Sequence, residues 1–135
     1  MSPDGALSKV ASENALIAAL DRVKVIHTAE DRVDLLGTLL ATAKENAVVL
    51  DFLNQHAANL LERDPVFKEQ FLASDVLLRD GIGIKMAMRA LRRESGLNMN
   101  GTDLIPALID VFAYQVSNKV GDSAMFFFGT QEQWL

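Results

Sequence analysis

The chain contains no cysteine and only two histidines among its 135 residues. Without cysteine there can be no disulfide bond, no thiolate zinc site and no cysteine nucleophile, and the composition fits a reducing compartment. With His27 and His56 as the two imidazoles, a metal site built from several histidines is disfavoured. Chemistry that depends on thiols or on clustered imidazoles is therefore set aside.

Positive charge and long hydrophobic runs are also scarce. Thirteen Lys and Arg residues stand against 18 Asp and Glu residues, for a formal net charge of −5, which argues against binding nucleic acid through a broad basic surface. No apolar run reaches the roughly 20 residues that a helix needs to cross a bilayer, so any membrane contact would have to be peripheral. Half of the residues are hydrophobic, which predicts a globular chain with a real core.

Helical and strand-like segments alternate along the chain. The strands are continuous apolar runs, which is typical of a buried parallel sheet flanked by helices. We therefore predict an α/β fold, in which residues 1–21 form a helical lead-in and residues 22–135 the rest of the domain. Because a doubly wound sheet normally continues past its fourth strand, we expect the domain to be incomplete at its C-terminal end. The four predicted strands span residues 23–27, 48–52, 76–78 and 124–128.

The segment Asp80-Gly81-Ile82-Gly83 carries the strongest functional signal. It follows the third predicted strand, and the carboxyl ends of strands are where open α/β sheets bind their ligands. Asp80 could instead merely cap the following helix. A hairpin at Asp-Gly is disfavoured because residues 84–93 have a helical pattern. A dinucleotide fingerprint is incomplete, since Met86 stands where the third glycine would be.

Three further features are candidates for binding. Asn54 follows the second predicted strand, where it could cap the next helix or donate its amide to a sugar or phosphate oxygen. Gly101-Thr102-Asp103 leads into a helix that either Thr102 or Asp103 could cap, and the amides there could also bind an anion. A basic stripe on the helix after Asp80 is either a solvated face or a contact surface for diphosphate or anionic lipid. Its members are Lys85, Arg89, Arg92 and Arg93.

These motifs occur in a fixed order from about residue 23 to the end of the chain. The ordered set resembles the WecG/TagA/CpsF glycosyltransferases of bacterial surface-polysaccharide (exopolysaccharide) and teichoic-acid synthesis. The motifs that carry the resemblance are Asn54, Asp64-Pro65-Val66-Phe67, Ala73-Ser74-Asp75-Val76, Asp80-Gly81-Ile82-Gly83, Gly101-Thr102-Asp103-Leu104 and Phe126-Phe127-Phe128-Gly129.

The resemblance implies a Rossmann-like, hexosyltransferase-type enzyme from the cell envelope pathways of bacteria. Such an enzyme moves a sugar from a nucleotide donor, usually a UDP-sugar, to a sugar on a polyprenyl diphosphate, with inversion of the anomeric carbon. The implied location is cytoplasmic, with peripheral contact at the inner face of the cell membrane. The sequence shows no carboxylate cluster of the metal-binding type, so we expect neither a metal nor another cofactor.

The resemblance also implies roles for individual residues. Asp80 matches the proposed catalytic base, while Asn54, Gly101 and Asp103 match further motif positions. Six residues are expected to bind substrate: Asn54, Gly81, Gly83, Gly101, Thr102 and Asp103. An alternative is a non-catalytic nucleotide- or sugar-binding remnant of such a domain.

Two positions and the chain length depart from the family pattern. Phe52 stands where some members have threonine, and Asn98 where many have arginine. Because the second half of the family domain is not in these residues, we expect little or no transfer activity from this chain alone. A sheet edge left uncovered would favour self-association, so a homo-oligomer is a further expectation.

Overall fold

The computed structural model describes residues 15–118 and 124–126, which form an α/β arrangement of helices around a parallel sheet. Helix α1 covers the described residues 15–22. The remaining elements, in chain order, are α2 (Ala29–Ala43), β1 (Leu50–Leu53), α3 (Gln55–Arg63), α4 (Pro65–Leu72), β2 (Val76–Arg79), α5 (Ile82–Ala90) and α6 (Gly101–Ser117).

Strands β1 and β2 are parallel neighbours, joined in the chain by α3 and α4. In their register Leu50 lies opposite Val76, and Leu53 opposite Arg79. On the other side of β2, Val23 forms an isolated parallel bridge with Leu77. The order across the sheet is therefore β1, β2 and the segment around Val23, and all three run in the same direction.

Adjacent side chains of β2 enter two different hydrophobic cores, because successive residues of a strand point to opposite faces of the sheet. Leu77 packs into a core shared with α1, α3, α4 and α5, while Leu78 packs into a second core with α2 and α6. Full burial of one such leucine contributes about 1.5–3 kcal/mol. The fold is thus a Rossmann-like arrangement with helices on both faces of the sheet.

Local sequence signals explain where the helices begin. Thr28 caps α2 in a capping box with Asp31, whose pKa is held below its usual value chiefly by the hydrogen bond with the Thr28 side chain. Asp64 caps α4 through the amides of Val66 and Phe67, and Pro65 occupies the first helical position. Residues within a few positions of each helix start therefore determine where α2 and α4 begin.

The prediction of a parallel α/β fold is confirmed, but several boundaries differ. The first predicted strand, 23–27, pairs as a bridge at Val23 alone. The main chain beyond it is bound differently: the Ile26 carbonyl accepts from the Leu97 amide at 2.7 Å. Of the fourth predicted strand, residues 124–126 are not in a strand, and 127–128 lie outside the described residues. Helix α1 contributes to the same core as α3 and α5, and the division at residue 21 stays a prediction.

Candidate functional site

The carboxyl ends of β1 and β2 bring the predicted site residues to one edge of the sheet. Since Leu53 pairs with Arg79, the next residues, Asn54 and Asp80, leave the sheet side by side. The Asp80 amide donates to the Leu53 carbonyl at 2.9 Å, which continues the pairing to the edge. Neighbouring strands lie about 4.8 Å apart, so one small ligand could contact both junctions.

At the junction of β1 and α3, Asn54 is the N-cap. Its Oδ1 accepts a hydrogen bond from the Ala57 amide at 2.9 Å. The capping interpretation is therefore confirmed for the side-chain oxygen. The Nδ2 group makes no hydrogen bond to the described residues, so it can still donate to a ligand. His56, on the first turn of α3, is exposed.

At the junction of β2 and α5, the N-cap is Gly81 rather than Asp80, and no side chain caps the helix. The alternative that Asp80 serves as a cap is therefore wrong, and so is the hairpin, because α5 follows directly. Gly81 has φ +87° and ψ 165°, a conformation that is essentially restricted to glycine. Asp80 is half-buried, and its carboxylate accepts no hydrogen bond from the described residues.

Arg79 is the residue at this edge that sequence reasoning missed. It is 3% exposed, although it ends an apolar strand. Its guanidinium donates to the carbonyls of Ser95, Gly81 and Gly96 at 2.8, 3.0 and 3.1 Å. Burial lowers the pKa of Arg79, and the nearby negative charge of Asp80 opposes that shift. An arginine within an apolar run is a weak signal, because its partners here are main-chain groups that no side-chain pattern reveals.

The connection after α5 closes over this edge. Asn98 Oδ1 accepts from the Gly81 amide at 2.8 Å and from Arg79 Nη1 at 3.3 Å. The Met99 amide donates to the Arg79 carbonyl at 2.9 Å. Gly96 has φ +58°, and a Cβ there would collide with the main chain at Ile26. The connection is therefore anchored to the sheet on both sides.

Helix α6 begins at Gly101, and its N-cap is Asn100 instead of the predicted Thr102 or Asp103. Asn100 Oδ1 accepts from the Asp103 amide at 2.8 Å, and Asn100 Nδ2 donates to the Asp103 carboxylate at 2.8 Å. Thr102 and Asp103 are both exposed in the first turn. A Cβ on Gly101 would lie 3.6 Å from the Phe52 ring, so the start of α6 packs against β1.

The first turns of α3 and α5 also lie against each other. A Cβ on Gly83 would lie 3.2 Å from Gln55 Oε1, which is tighter than ordinary contact. The absence of a side chain at Gly83 thus lets the two helix starts approach. The structure brings together the junction residues Asn54, Asp80, Gly81 and Gly83, and the start of α6 reaches the same strand end through Phe52.

The predicted basic stripe on α5 is shorter than expected. Arg93 is partly buried and forms an ion pair with Asp21 at 2.5 Å. The remaining cations, Lys85, Arg89 and Arg92, are exposed. Lys85 and Arg89 share a face of α5 with two exposed apolar side chains, since Ile82 and Met86 are 70% and 65% exposed. Arg92 lies beyond the end of α5 at Ala90.

Other features lie apart from the predicted site residues. In residues 15–118 and 124–126, no three His, Asp or Glu side chains are grouped to hold a metal ion. None of the helices in those ranges has the length and hydrophobicity to span a membrane. A cavity of about 210 Å³ lies between α2 and the amino ends of the strands, where it is lined by Leu39, Val48 and Val76 among others. A wider cavity of about 470 Å³ lies at the start of α2.

The fold and the polar edge define an α/β, Rossmann-like protein with a half-buried carboxylate, that of Asp80, at a strand end. The model of the glycosyl transferase WecG/TagA/CpsF family matches residues 20–135. Because the match covers most of the chain, the protein belongs to the WecG/TagA/CpsF family of glycosyltransferases. No curated protein and no solved structure matched the chain.

Proposed function

We propose that this protein transfers a hexose from a UDP-sugar to a sugar carried on a polyprenyl diphosphate. The observation that carries the proposal is the carboxylate of Asp80 at the carboxyl end of β2, next to Asn54. It accepts no hydrogen bond from the described residues and caps no helix. Family membership supports sugar transfer as the reaction class.

Asp80 is the proposed general base. The acceptor hydroxyl oxygen attacks the anomeric carbon of the donor, and the bond from that carbon to the diphosphate oxygen breaks on the opposite face. The hydroxyl proton passes to an oxygen of the Asp80 carboxylate. One displacement of this kind inverts the anomeric centre. A carboxylate that is not occupied by a cap is suited to accept the proton.

The leaving nucleotide diphosphate needs donors or positive charge to stabilise it. Helix α5 begins at this edge without a side-chain cap, so its first amides are not satisfied by a side chain. We assign this role to the main-chain amides of Ile82 and Gly83, which follow the Gly81 cap, with the Nδ2 group of Asn54 as a further donor. The Gly81 amide itself donates to Asn98, so Gly81 would contact the substrate without that donor. Gly101, Thr102 and Asp103 would contact the remainder of the substrates.

The proposed acceptor is anchored in a membrane, so the protein should approach a lipid surface from the cytoplasmic side. The exposed face of α5 fits that contact, because Lys85 and Arg89 stand beside Ile82 and Met86. Self-association is also proposed, since β1 pairs on one side only within the described residues. Vesicle co-sedimentation and the molar mass in solution test these two partners.

Comparison of the protein with its Asp80→Asn variant tests the reaction. Labelled UDP-sugars and a synthetic polyprenyl-diphosphate-linked sugar are the substrates, and UDP binding is measured in parallel by calorimetry. We expect slow transfer by the unaltered protein, its loss in Asp80→Asn, and equal UDP binding by both. UDP binding without transfer in either protein would instead support the non-catalytic binding module.

A further inference from the structure

We propose that Arg79 and Asn98 form a positioning pair that fixes the orientation of Asp80. This inference rests on the proposed function, because it concerns the same carboxylate. Neither residue is assigned contact with the reacting atoms. Their part is to hold the amide and the carbonyl of Gly81, directly after Asp80, so that the Asp80 carboxylate points consistently to the substrate.

Arg79 can do this because its guanidinium is directed inward at main-chain carbonyls. It donates to the carbonyl of Gly81, directly after Asp80, and to the carbonyls of Ser95 and Gly96 in the connection after α5. An uncharged residue of the same length would leave three carbonyls without this donor, and a lysine cannot reproduce the planar fork. At 3% exposure, Arg79 is not available to a substrate.

Asn98 completes the arrangement from the connection after α5. A single oxygen, Oδ1, accepts both from the Gly81 amide and from Arg79 Nη1. The side chain thus joins the main chain beyond Asp80 to the guanidinium that precedes it. Asn98 is exposed as a residue, so a substitution there can change the contact without opening the core.

The combined contacts leave the main chain around Asp80 little freedom. In the peptide before Asp80, the Arg79 carbonyl accepts from Met99 and the Asp80 amide donates to Leu53. In the peptide after Asp80, the Gly81 amide donates to Asn98. Gly81 adopts a main-chain conformation that is rare for residues other than glycine, and these hydrogen bonds help to hold it there. Since the carboxylate has no hydrogen bond of its own to the described residues, its position is set through its main chain.

The test compares Asn98→Ala with Asn98→Asp, which keeps an oxygen acceptor at the same place. We expect Asn98→Ala to lower kcat by about tenfold or more, because small misplacements of catalytic groups are costly. The KM for the UDP-sugar should change by less than about twofold, and Asn98→Asp should retain kcat within about threefold. Asn59→Ala, at an exposed asparagine of α3, is the matched control and should behave as the unaltered protein.

Two results would overturn the inference. An unchanged kcat in Asn98→Ala would show that the contact does not position the base. An equal loss in Asn98→Ala and Asn98→Asp would instead assign the amide nitrogen to substrate binding.

A second measurement keeps the inference separate from the proposed function. Hydrogen exchange at the Gly81 amide, followed by NMR, reports the Asn98 contact without any substrate. We expect exchange at least about tenfold faster in Asn98→Ala than in the unaltered protein or Asn98→Asp, since the amide loses its acceptor. If no transfer is detected at all, the proposed reaction fails, while equal exchange in all three proteins would refute the positioning pair by itself.

Discussion

The junction after β1 and the junction after β2 have the same topology but use their polar residues differently. Each strand passes directly into a helix at the same edge of the sheet. After β1, the side-chain oxygen of Asn54 is taken up by the Ala57 amide. After β2, the cap is Gly81, and the Asp80 carboxylate accepts nothing from the described residues. One polar side chain stabilises its helix, and the other makes no such contact with the described residues.

The difference arises from which residue serves as the N-cap at each junction. At Asn54 the main chain is extended and the side chain folds back over the first turn of α3. At Asp80 the cap moves one residue along the chain to Gly81, which has φ +87°, and no side chain caps the helix. With glycine as the cap, the preceding acidic side chain therefore has no capping role.

Alanine at each of the two positions gives the largest expected contrast. Asp80→Ala should lower sugar transfer by about 100- to 10,000-fold, the usual contribution of a general base. Its free energy of unfolding should change by less than about 1 kcal/mol, because the carboxylate accepts no hydrogen bond from the described residues and its removal loses a charge interaction with Arg79. Transfer assays and urea unfolding of the same preparation check this. Marked destabilisation in Asp80→Ala would contradict the proposed division of roles.

Substitution of the glycine cap is expected to have the next largest effect. Gly81→Ala has open space for its Cβ, so any cost comes from the main-chain conformation, at about 1–3 kcal/mol. Gly37→Ala, in the interior of α2 with nothing within 4 Å of its Cβ, is the control and should stabilise the protein by about 0.5–1 kcal/mol. Thermal or urea unfolding measures both. Equal stability of Gly81→Ala and the unaltered protein would remove the main-chain explanation.

Loss of the Asn54 cap should cost less than the strain at Gly81. Asn54→Ala is expected to destabilise the protein by about 1 kcal/mol, the typical value for an N-cap. Asn54→Ser should recover most of that loss, since a serine oxygen can accept from the same amide. Urea unfolding of the two variants gives the comparison. If Asn54→Ser were no better than Asn54→Ala, the hydrogen bond to Ala57 would not be the stabilising contact.

The start of α2 adds a cap that responds to pH, in contrast to the uncharged amide of Asn54. The Thr28 contacts lower the pKa of Asp31 in the folded protein. A lowered pKa means that the carboxylate stabilises the fold above its unfolded pKa, and that this contribution is lost as the pH falls through the folded pKa. The unaltered protein should therefore lose its advantage over Asp31→Asn below about pH 4. Urea unfolding between pH 3 and about pH 7 tests this, and a pH-independent difference would contradict it.

The parts of the structure that sequence could predict depend on local chemistry. Thr28, Asn54 and Asp64-Pro65 act within a few residues of themselves, so their cap patterns identify the starts of α2, α3 and α4. The apolar runs likewise identify β1 and β2, because a strand buried on both faces must be hydrophobic along its length.

The parts that sequence missed depend on distant main-chain groups. Arg79 bonds to carbonyls 16 and 17 residues away, and no side-chain pattern records them. The sequence does not distinguish Asn100 as the cap, because Thr102 and Asp103 are also good cap residues. Segment 23–27 has a strand-like sequence, yet the Ile26 carbonyl accepts a hydrogen bond from the Leu97 amide. Local preference was overridden there by the path of the later chain.

Leu77 and Leu78 enter different cores. The side of the sheet on which the Asp80 side chain emerges therefore depends on whether an odd or an even number of residues separates it from each leucine. A single residue inserted into β2 would exchange the two faces and would also send the carboxylate to the opposite side of the sheet. Two inserted residues would restore the parity while extending the strand. Insertions of even length in β2 should therefore be tolerated better than odd ones. The number of residues between the core leucines and the Asp80 carboxylate is then a constraint on the sequence that is separate from the chemical type of those residues.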